Sequence, residues 1–429
     1  MADAGRTNGA GEKQPADRAA ESPALGPAAL ERYSRQIRFA PIGPEGQRRL
    51  LDSTVLIVGA GALGASLAQH MARAGVGHIR IVDRDFVEPS NLQRQTLFDE
   101  EDARMALPKA AAAAAKLRRI NSGIAIEEHV ADVTRENAAA FAEGTDLVLD
   151  GTDNAATRLV LSDACFSLGI PFVYGGAVGA EGMSAPLVPG ETACLRCLIG
   201  DEHGAAEAGT CETEGVISPI VELVAALQAA EALKWLTGHR GALRRTWLSV
   251  SLWPFAFREW RLPGPTRDCP VCGRARLIET GGGAVRGSVP GERSASALAA
   301  RESVAFPDAR SAGAADARMP SGTPERAAVR NEASGGSVRA AVLCGRDTVQ
   351  LTFDRPLPLE RIEAQLARAG CRITRNPWLI RAETADGRRF VLFRGEGRVL
   401  VQGVPDADEA ARALTELLHL GEGEGVTVR

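Results

Sequence analysis

A glycine turn at Gly59, Gly61 and Gly64 directly follows the apolar run 54–58, Thr-Val-Leu-Ile-Val. That order admits few folds. A strand must end, the backbone must turn sharply, and a helix must begin within six residues. The spacing predicts a strand over 54–58 and a helix over 62–74. In such a turn the glycines serve the bend, a close backbone approach to phosphate, and helix–strand packing. The plainer alternative is a tight turn that binds nothing. A second strand is predicted over 78–82, ending at Asp83, which lies 22 residues beyond Gly61. A carboxylate there can accept the ribose hydroxyls of an adenosine. Two more short apolar runs, 147–150 and 172–174, alternate with helical stretches over 108–121 and from Asn154 to Leu168. This alternation predicts a Rossmann-like α/β fold with a doubly wound, mostly parallel sheet.

A dinucleotide redox cofactor is the obvious rival occupant, and the residues after Asp83 argue against it. Ser90, Asn91, Leu92, Gln93, Arg94 and Gln95 form a polar segment, and Lys109 opens the next helix. An asparagine, one or two arginines and a lysine converging on one site suit a triphosphate. A hydride-handling His or Tyr is also missing, because His70 and His78 fall on the predicted helix and strand edge. Asp153 and Asn154 follow a third strand end, where open α/β sheets bind ligands. Asp153 is a candidate Mg²⁺ ligand, and the pair equally suits a helix N-cap.

Cys194 and Cys197 form one Cys-x-x-Cys pair, and Cys269 and Cys272 another. Two such pairs read as one closed Cys₄ zinc site. Such a site leaves no position for water, so the Zn²⁺ is expected to be structural, tying the loop after Pro189 to the end of the domain.

The wider sequence sets limits. With 50 Lys and Arg against 54 Asp and Glu, the net charge is −4, and there is no basic block. Nucleic acid is therefore not expected as a partner. No apolar run reaches the roughly 18 residues of a spanning helix, and a cytoplasmic, membrane-free protein is expected. Hydrophobic residues make up 45% of the 429, enough for a sizeable core. Residues 1–28 read as a disordered tail and 29–280 as the nucleotide-binding domain. Residues 218–237 read as an amphipathic helix with Ile220, Leu223, Val224, Leu227, Ala230 and Leu233 on one side. Residues 281–337, rich in Gly, Ala, Ser, Pro and Arg, read as a flexible linker. Residues 338–429 read as a small α+β domain, with a strand over 340–353, a helix over 359–369, a hairpin around 395–397 and a closing helix over 406–418.

The motifs Arg32-Tyr33-Ser34-Arg35-Gln36, Gly59-Ala60-Gly61-Ala62-Leu63-Gly64, Asp83-Arg84-Asp85, Ser90-Asn91-Leu92-Gln93-Arg94-Gln95, Pro108-Lys109 and Thr152-Asp153-Asn154 occur in order with the four cysteines. Over residues 30–275 this set resembles the ThiF/MoeB/HesA family, bacterial relatives of ubiquitin-activating enzymes. The resemblance implies a homodimeric adenylyltransferase. Its reaction would be attack by the C-terminal glycine of a ubiquitin-like sulfur carrier, of ThiS or MoaD type, on ATP–Mg²⁺. A ThiS-type carrier and thiazole synthesis are favoured, with a MoaD-type carrier and molybdopterin next. A cysteine desulfurase or another sulfur donor is an implied further partner. Asp83 would hold the ribose, and Asn91, Arg94 and Lys109 the phosphates. Asp153 would organise the Mg²⁺ and the reacting carboxylate, and Arg35 would reach the neighbouring subunit's γ-phosphate. Ala62 stands where the family has glycine, which narrows the room at the phosphates. Cys211 matches a cysteine that in ThiF-type members can bond the carrier, and is a candidate catalytic or relay residue. The C-terminal domain resembles an extension of ThiF-like proteins, carries no sulfurtransferase loop, and receives no catalytic residue.

Overall fold

A computed structural model describes residues 25–200, 214–273, 328–331, 336–343, 347–395, 397–418 and 426–428. The first sheet contains eight strands in the order β3-β2-β1-β4-β5-β6-β7-β8. They are β1 (Thr54–Val58), β2 (His78–Asp83), β3 (Ala125–Val130), β4 (Leu147–Asp150), β5 (Phe172–Val178), β6 (Glu181–Leu187), β7 (Thr246–Leu252) and β8 (Phe255–Arg261). The first five pair in parallel, and β6 to β8 continue the sheet antiparallel. From β1 the chain winds outward to β2 and β3, then returns to β4 on the other side. The crevice beyond the carboxyl ends of β1 and β4 is therefore the topological switch point.

Alternate residues of β1 feed two cores, as the period of a strand requires. Val55 and Ile57 pack with the helices Ala62–Ala74, Lys109–Ile120 and Ser218–Leu236. Leu56 and Val58 pack with the helix Ala155–Leu168 and the cysteine-bearing loops. The helix Ser218–Leu236 departs from the predicted amphipathic pattern. Val221, Ala225, Gln228 and Ala229 are buried along with Ile220 and Val224. It lies across both β5 and the helix Ala62–Ala74, so apolar residues cover more than one stripe. Among the described residues, no helix is long and apolar enough to cross a membrane.

The second sheet is wholly antiparallel, in the order β12-β13-β14-β15-β11-β10-β9-β16. Its strands are β9 (Ala328–Asn331), β10 (Gly336–Leu343), β11 (Thr348–Phe353), β12 (Arg372–Arg375), β13 (Leu379–Glu383), β14 (Arg389–Phe393), β15 (Arg398–Gln402) and β16 (Val426–Val428). The helices Leu359–Arg368 and Ala407–Leu417 cover one face. Two differences from the sequence reading stand out. The stretch 340–353 is not one strand but the paired strands β10 and β11, and Asp347 beside the reversal has φ +44°. β9 and the start of β10 also lie within 281–337, the stretch read as linker, most of which is outside the described residues. Arg and Ala had masked strand residues that earn their place by pairing with β11 and β16 rather than by local pattern.

Two of the three turn glycines are demanded by the protein itself. Gly59 has φ +85°, and a Cβ there would sit 2.5 Å from the carbonyl oxygen of Gly151. At Gly64 a Cβ would lie 1.7 Å from the carbonyl oxygen of Gly59. At Gly61 the nearest atom would be the Gln95 Nε2 at 3.9 Å, so that position has open space beside it. Gly64→Ala is therefore expected to cost at least about 2 kcal/mol, whereas Gly61→Ala should stay within about 0.5 kcal/mol of the parent. Denaturant unfolding of the two variants side by side checks this. Equal losses would remove the distinction.

Candidate nucleotide site

The carboxyl ends of β1, β2 and β4 line up, with Val58 opposite Val82 on one side and Asp150 on the other. Asp83 closes β2 and is 9% exposed. Its two oxygens accept hydrogen bonds from the Ala60 N–H and the Asp85 N–H, both at 2.6 Å. The carboxylate thus fixes the glycine turn against the loop that follows β2. Burial pushes Asp83 up to about 6, although Lys109 opposes this.

Lys109 begins its helix behind Pro108 and is 8% exposed. Its Nζ lies 3.1 Å from an Asp85 oxygen. Burial works to lower the lysine, but the charges of Asp85, Asp83 and Asp153 outweigh it and raise it. Asp85 shows the reverse balance. Burial works to raise it, and Lys109 and Arg84 bring it down to about 2. Arg84 also contacts Asp132 at 3.2 Å. Four carboxylates, Asp83, Asp85, Asp132 and Asp153, therefore act on the two cations Arg84 and Lys109.

The polar segment forms a short 3₁₀ turn, Pro89–Asn91. Asn91 is buried, and its Oδ1 accepts from the Glu88 N–H at 3.1 Å, so that oxygen serves the turn. Arg94 is half-buried and donates to the Ser90 carbonyl at 3.0 Å. Among the described residues Arg94 forms no ion pair. Ser90 and Gln93 are exposed, Leu92 is half-buried against the first core, and Ala62 opens the helix after the glycine turn. Asn154 caps the helix Ala155–Leu168, its Oδ1 accepting from the Thr157 N–H at 2.8 Å. Asp153, one residue earlier, is exposed. The structure thus gathers Gly61, Asp83, Lys109 and Asp153 at one edge of the sheet.

It does not gather Arg35 there. That side chain is exposed on the helix Ser34–Ile37. The neighbouring Gln36 donates to the Ala74 carbonyl at 2.9 Å and to the Gln47 Oε1 at 2.6 Å. Ala74 ends the helix that begins at the glycine turn, so Arg35 sits toward the amino edge of the sheet, away from Lys109 in the same chain. Cys211 lies outside the described residues, as does Cys344.

Two groups escaped the sequence reading. Asp85 is the direct partner of Lys109, and the quoted motif contained it without assigning it a role. Arg158 ties the loop after β4 in place. Its Nε is 3.2 Å from an Asp150 oxygen, and its Nη2 donates to the carbonyls of Thr152 at 2.6 Å and Gly175 at 3.1 Å. Asp150 is fully buried, burial raises its carboxyl, and Thr152 donates to it twice. A basic residue one turn into a helix, eight beyond a buried strand-end aspartate, was the available signal.

The four paired cysteines converge on the other side of the domain. Their sulfurs all lie within 4.8 Å of one another, with Cys194–Cys197 at 3.8 Å, Cys194–Cys269 at 3.7 Å and Cys197–Cys272 at 3.8 Å. Metal–sulfur bonds of about 2.3 Å in a tetrahedron place sulfurs about 3.8 Å apart. The donor set and its spacing therefore fit a tetrahedral ion. The Val271 N–H also points to the Cys269 sulfur at 3.4 Å.

Comparison with known proteins agrees with this fold. The model of the ThiF family matches residues 33–271. The chain is 38% identical over 384 residues to the sulfur carrier protein ThiS adenylyltransferase of Bacillus subtilis, spanning 88% of this chain and 96% of that one. It is 41% identical over 245 residues to the SAMP-activating enzyme E1 of Haloferax volcanii, spanning 57% and 89%. Among solved structures, E. coli MccB aligns with a TM-score of 0.50 and 23% identity over 56% of this chain and 72% of that one, a likeness of fold alone. With its sheet, its glycine turn and more than half its length accounted for, the chain belongs to the ThiF family.

Proposed function

We propose that this chain is an adenylyltransferase that activates the C-terminal glycine of a ubiquitin-like sulfur carrier of ThiS type with ATP. The observation that carries the reading is Lys109, buried and held charged at the switch point of a sheet whose glycine turn leaves room at Gly61. The similarity to the Bacillus subtilis ThiS adenylyltransferase over nearly its whole length supports the carrier class.

In this reading Asp83 accepts the ribose hydroxyls, and the open side of Gly61 admits the phosphates. Lys109 and Arg94 neutralise them, with Asn91 holding the turn beside them. One carboxylate oxygen of the carrier's glycine bonds to the α-phosphorus, and the bond from that phosphorus to the bridging oxygen breaks. Pyrophosphate leaves with the electron pair, and no proton moves. The step therefore needs cations and alignment rather than a general base. Asp153 would hold Mg²⁺, which supplies positive charge to the triphosphate, and four carboxylates around two cations support the need for it. Arg35 acts on the site of a second subunit, because its place in this chain is remote from its own. Cys194, Cys197, Cys269 and Cys272 would hold a structural Zn²⁺, and thiols kept reduced for a metal suit the cytoplasm.

The carrier's body is proposed to rest on the antiparallel half of the sheet. Trp253 is 81% exposed and Phe255 74%, at the hairpin between β7 and β8. The pairing of Val178 with Glu181 and of Leu252 with Phe255 puts that hairpin on the same edge as Asp153. Exposed aromatic groups clustered so close to a site favour a protein partner.

Carrier-dependent ATP–pyrophosphate exchange is the direct test. A ThiS-type carrier should support it, and Arg94→Ala and Lys109→Ala should each lower it by about 10²–10³. Arg94 is the safer probe because it makes no ion pair among the described residues. No exchange with either a ThiS-type or a MoaD-type carrier, by folded and metal-loaded protein, would sink the reading.

The pH dependence follows from Asp83. Ribose binding uses the ionised carboxylate, and this one titrates at about 6. The KM for ATP should rise as pH falls through about 6 and be steady above about 7. Asp83→Asn should start weaker and lose this step, while protonation of the phosphates contributes equally to both. Identical profiles would exclude Asp83 from the nucleotide. For the cysteines, elemental analysis should find one zinc per chain, and Cys269→Ser should lose it together with several degrees of Tm. Full stability without metal would overturn the structural assignment.

A further inference from the structure

The second sheet has an apolar face that its own helices do not cover. Leu379, Val391, Phe393 and Leu400 on that face pack against Phe86 and Ala106 of the first domain. Those two residues sit on the segments that carry Asp85 and Lys109. Phe86 and Pro108 form an antiparallel bridge, the Val87 N–H donates to the Leu107 carbonyl, and the Lys109 N–H donates to the Asp85 carbonyl, both at 2.8 Å. The two segments are tied to each other, and the C-terminal domain touches both.

The polar contacts run in one direction. Asn376, 6% exposed, donates through Nδ2 to the carbonyls of Met105 at 2.9 Å and Ala106 at 3.0 Å. Arg381 donates to the carbonyls of Ala103 and Arg104 at 3.4 and 3.2 Å. Arg398, 3% exposed, donates to the Arg84 carbonyl at 2.7 Å with its guanidinium 3.7 Å above the Phe393 ring. Ala106 has φ +48°, a left-handed conformation that an alanine adopts only when its surroundings hold it there. It stands three residues before Lys109. The Asn376 side chain is itself fixed, since its Oδ1 accepts from the N–H groups of Trp378 and Leu379 at 2.9 and 3.0 Å.

We propose that the C-terminal domain is a brace for the nucleotide site, in which Asn376 and Arg398 are positioning residues that hold the Asp85–Lys109 pair for ATP. This rests on the reading of that site as the ATP site. It assigns the domain a role on the nucleotide side of the reaction and makes ATP affinity depend on contacts far from any phosphate.

The experiment uses the full-length, zinc-loaded chain and a non-hydrolysable ATP analogue with Mg²⁺, titrated by calorimetry without carrier. Asn376→Ala and Asn376→Asp are compared with Arg375→Ala. Asn376→Asp keeps the oxygen that accepts from Trp378 and Leu379, so the turn within the domain survives while the donation to Met105 and Ala106 is lost. Arg375 pairs with Glu363 inside the same domain at 3.0 Å and serves as the control. Both Asn376 variants should weaken the analogue about tenfold, because the arrangement of the Asp85–Lys109 segments that binds it is then less populated before binding. They should also speed amide hydrogen exchange at Val87 and Lys109, with Arg375→Ala unchanged in both. Parent-like affinity in both Asn376 variants would overturn the brace, even with a lowered Tm, because a merely structural contact moves Tm alone. Failure of the parent protein to bind the analogue would instead sink the reading of the site itself.

Discussion

A buried lysine charge at the end of a parallel sheet sets the terms for everything around it. Removing an ammonium from water costs several kcal/mol, and pairing only partly offsets it. Lys109 is kept charged because Asp85, Asp83 and Asp153 all act on it. Each of those carboxylates in turn needs backbone donors or cations. Asp83 takes the amides of Ala60 and Asp85, and Asp85 pairs with both Lys109 and Arg84. A well-packed apolar cluster would stabilise the same crevice better. The arrangement costs stability, which suits a site kept for binding rather than for packing, and under the proposed function its surplus of carboxylates is met by the cation that comes with the nucleotide.

Much of the fold could be read from local pattern, because the central strands are buried on both faces. Continuous apolar runs at 54–58 and 147–150 are what a two-sided parallel strand requires. The glycine turn was legible because its constraint is steric: Gly64 meets the Gly59 carbonyl whatever the ligand. β3, β6 and β8 were not legible. Their sequences, Ala-Ile-Glu-Glu-His-Val, Glu-Gly-Met-Ser-Ala-Pro-Leu and Phe-Ala-Phe-Arg-Glu-Trp-Arg, mix charge, glycine or proline with apolar residues. At the sheet's edges or in its antiparallel part, pairing with an existing strand decides the conformation and propensity counts for less.

The site was legible in part, for a related reason. Asp83, Lys109 and Asp153 each follow or begin an element whose position the sheet dictates, so their convergence follows from topology. Arg158 acts through backbone carbonyls, at Thr152 and Gly175, that carry no residue identity, and Asp150 is held by the Thr152 N–H and hydroxyl. Asn376, Arg381 and Arg398 likewise all donate to carbonyls across the domain seam. A sequence displays such donors and hides their acceptors, which is why the docking of the second domain leaves so faint a trace in the chain.

The cysteine cluster and the candidate nucleotide crevice divide the mechanical work of the first domain. The cysteines lie among the residues of the core that contains Leu56 and Val58, where they bring the loop after β6 together with the segment after β8. The candidate nucleotide loops rise from the opposite end of the sheet, after β1, β2 and β4, and among the described residues no cysteine cluster fastens them. Besides the Lys109–Asp85 ion pair and the packing of Phe86 and Ala106, hydrogen bonds hold them: Asp83 to the glycine turn, the bridge between Phe86 and Pro108, and the donors of the second sheet. Under the proposed function this crevice must admit ATP and release pyrophosphate, so it has to be rigid in geometry yet cheap to open. Several hydrogen bonds of roughly 1 kcal/mol each meet both demands where a zinc cluster would meet only the first.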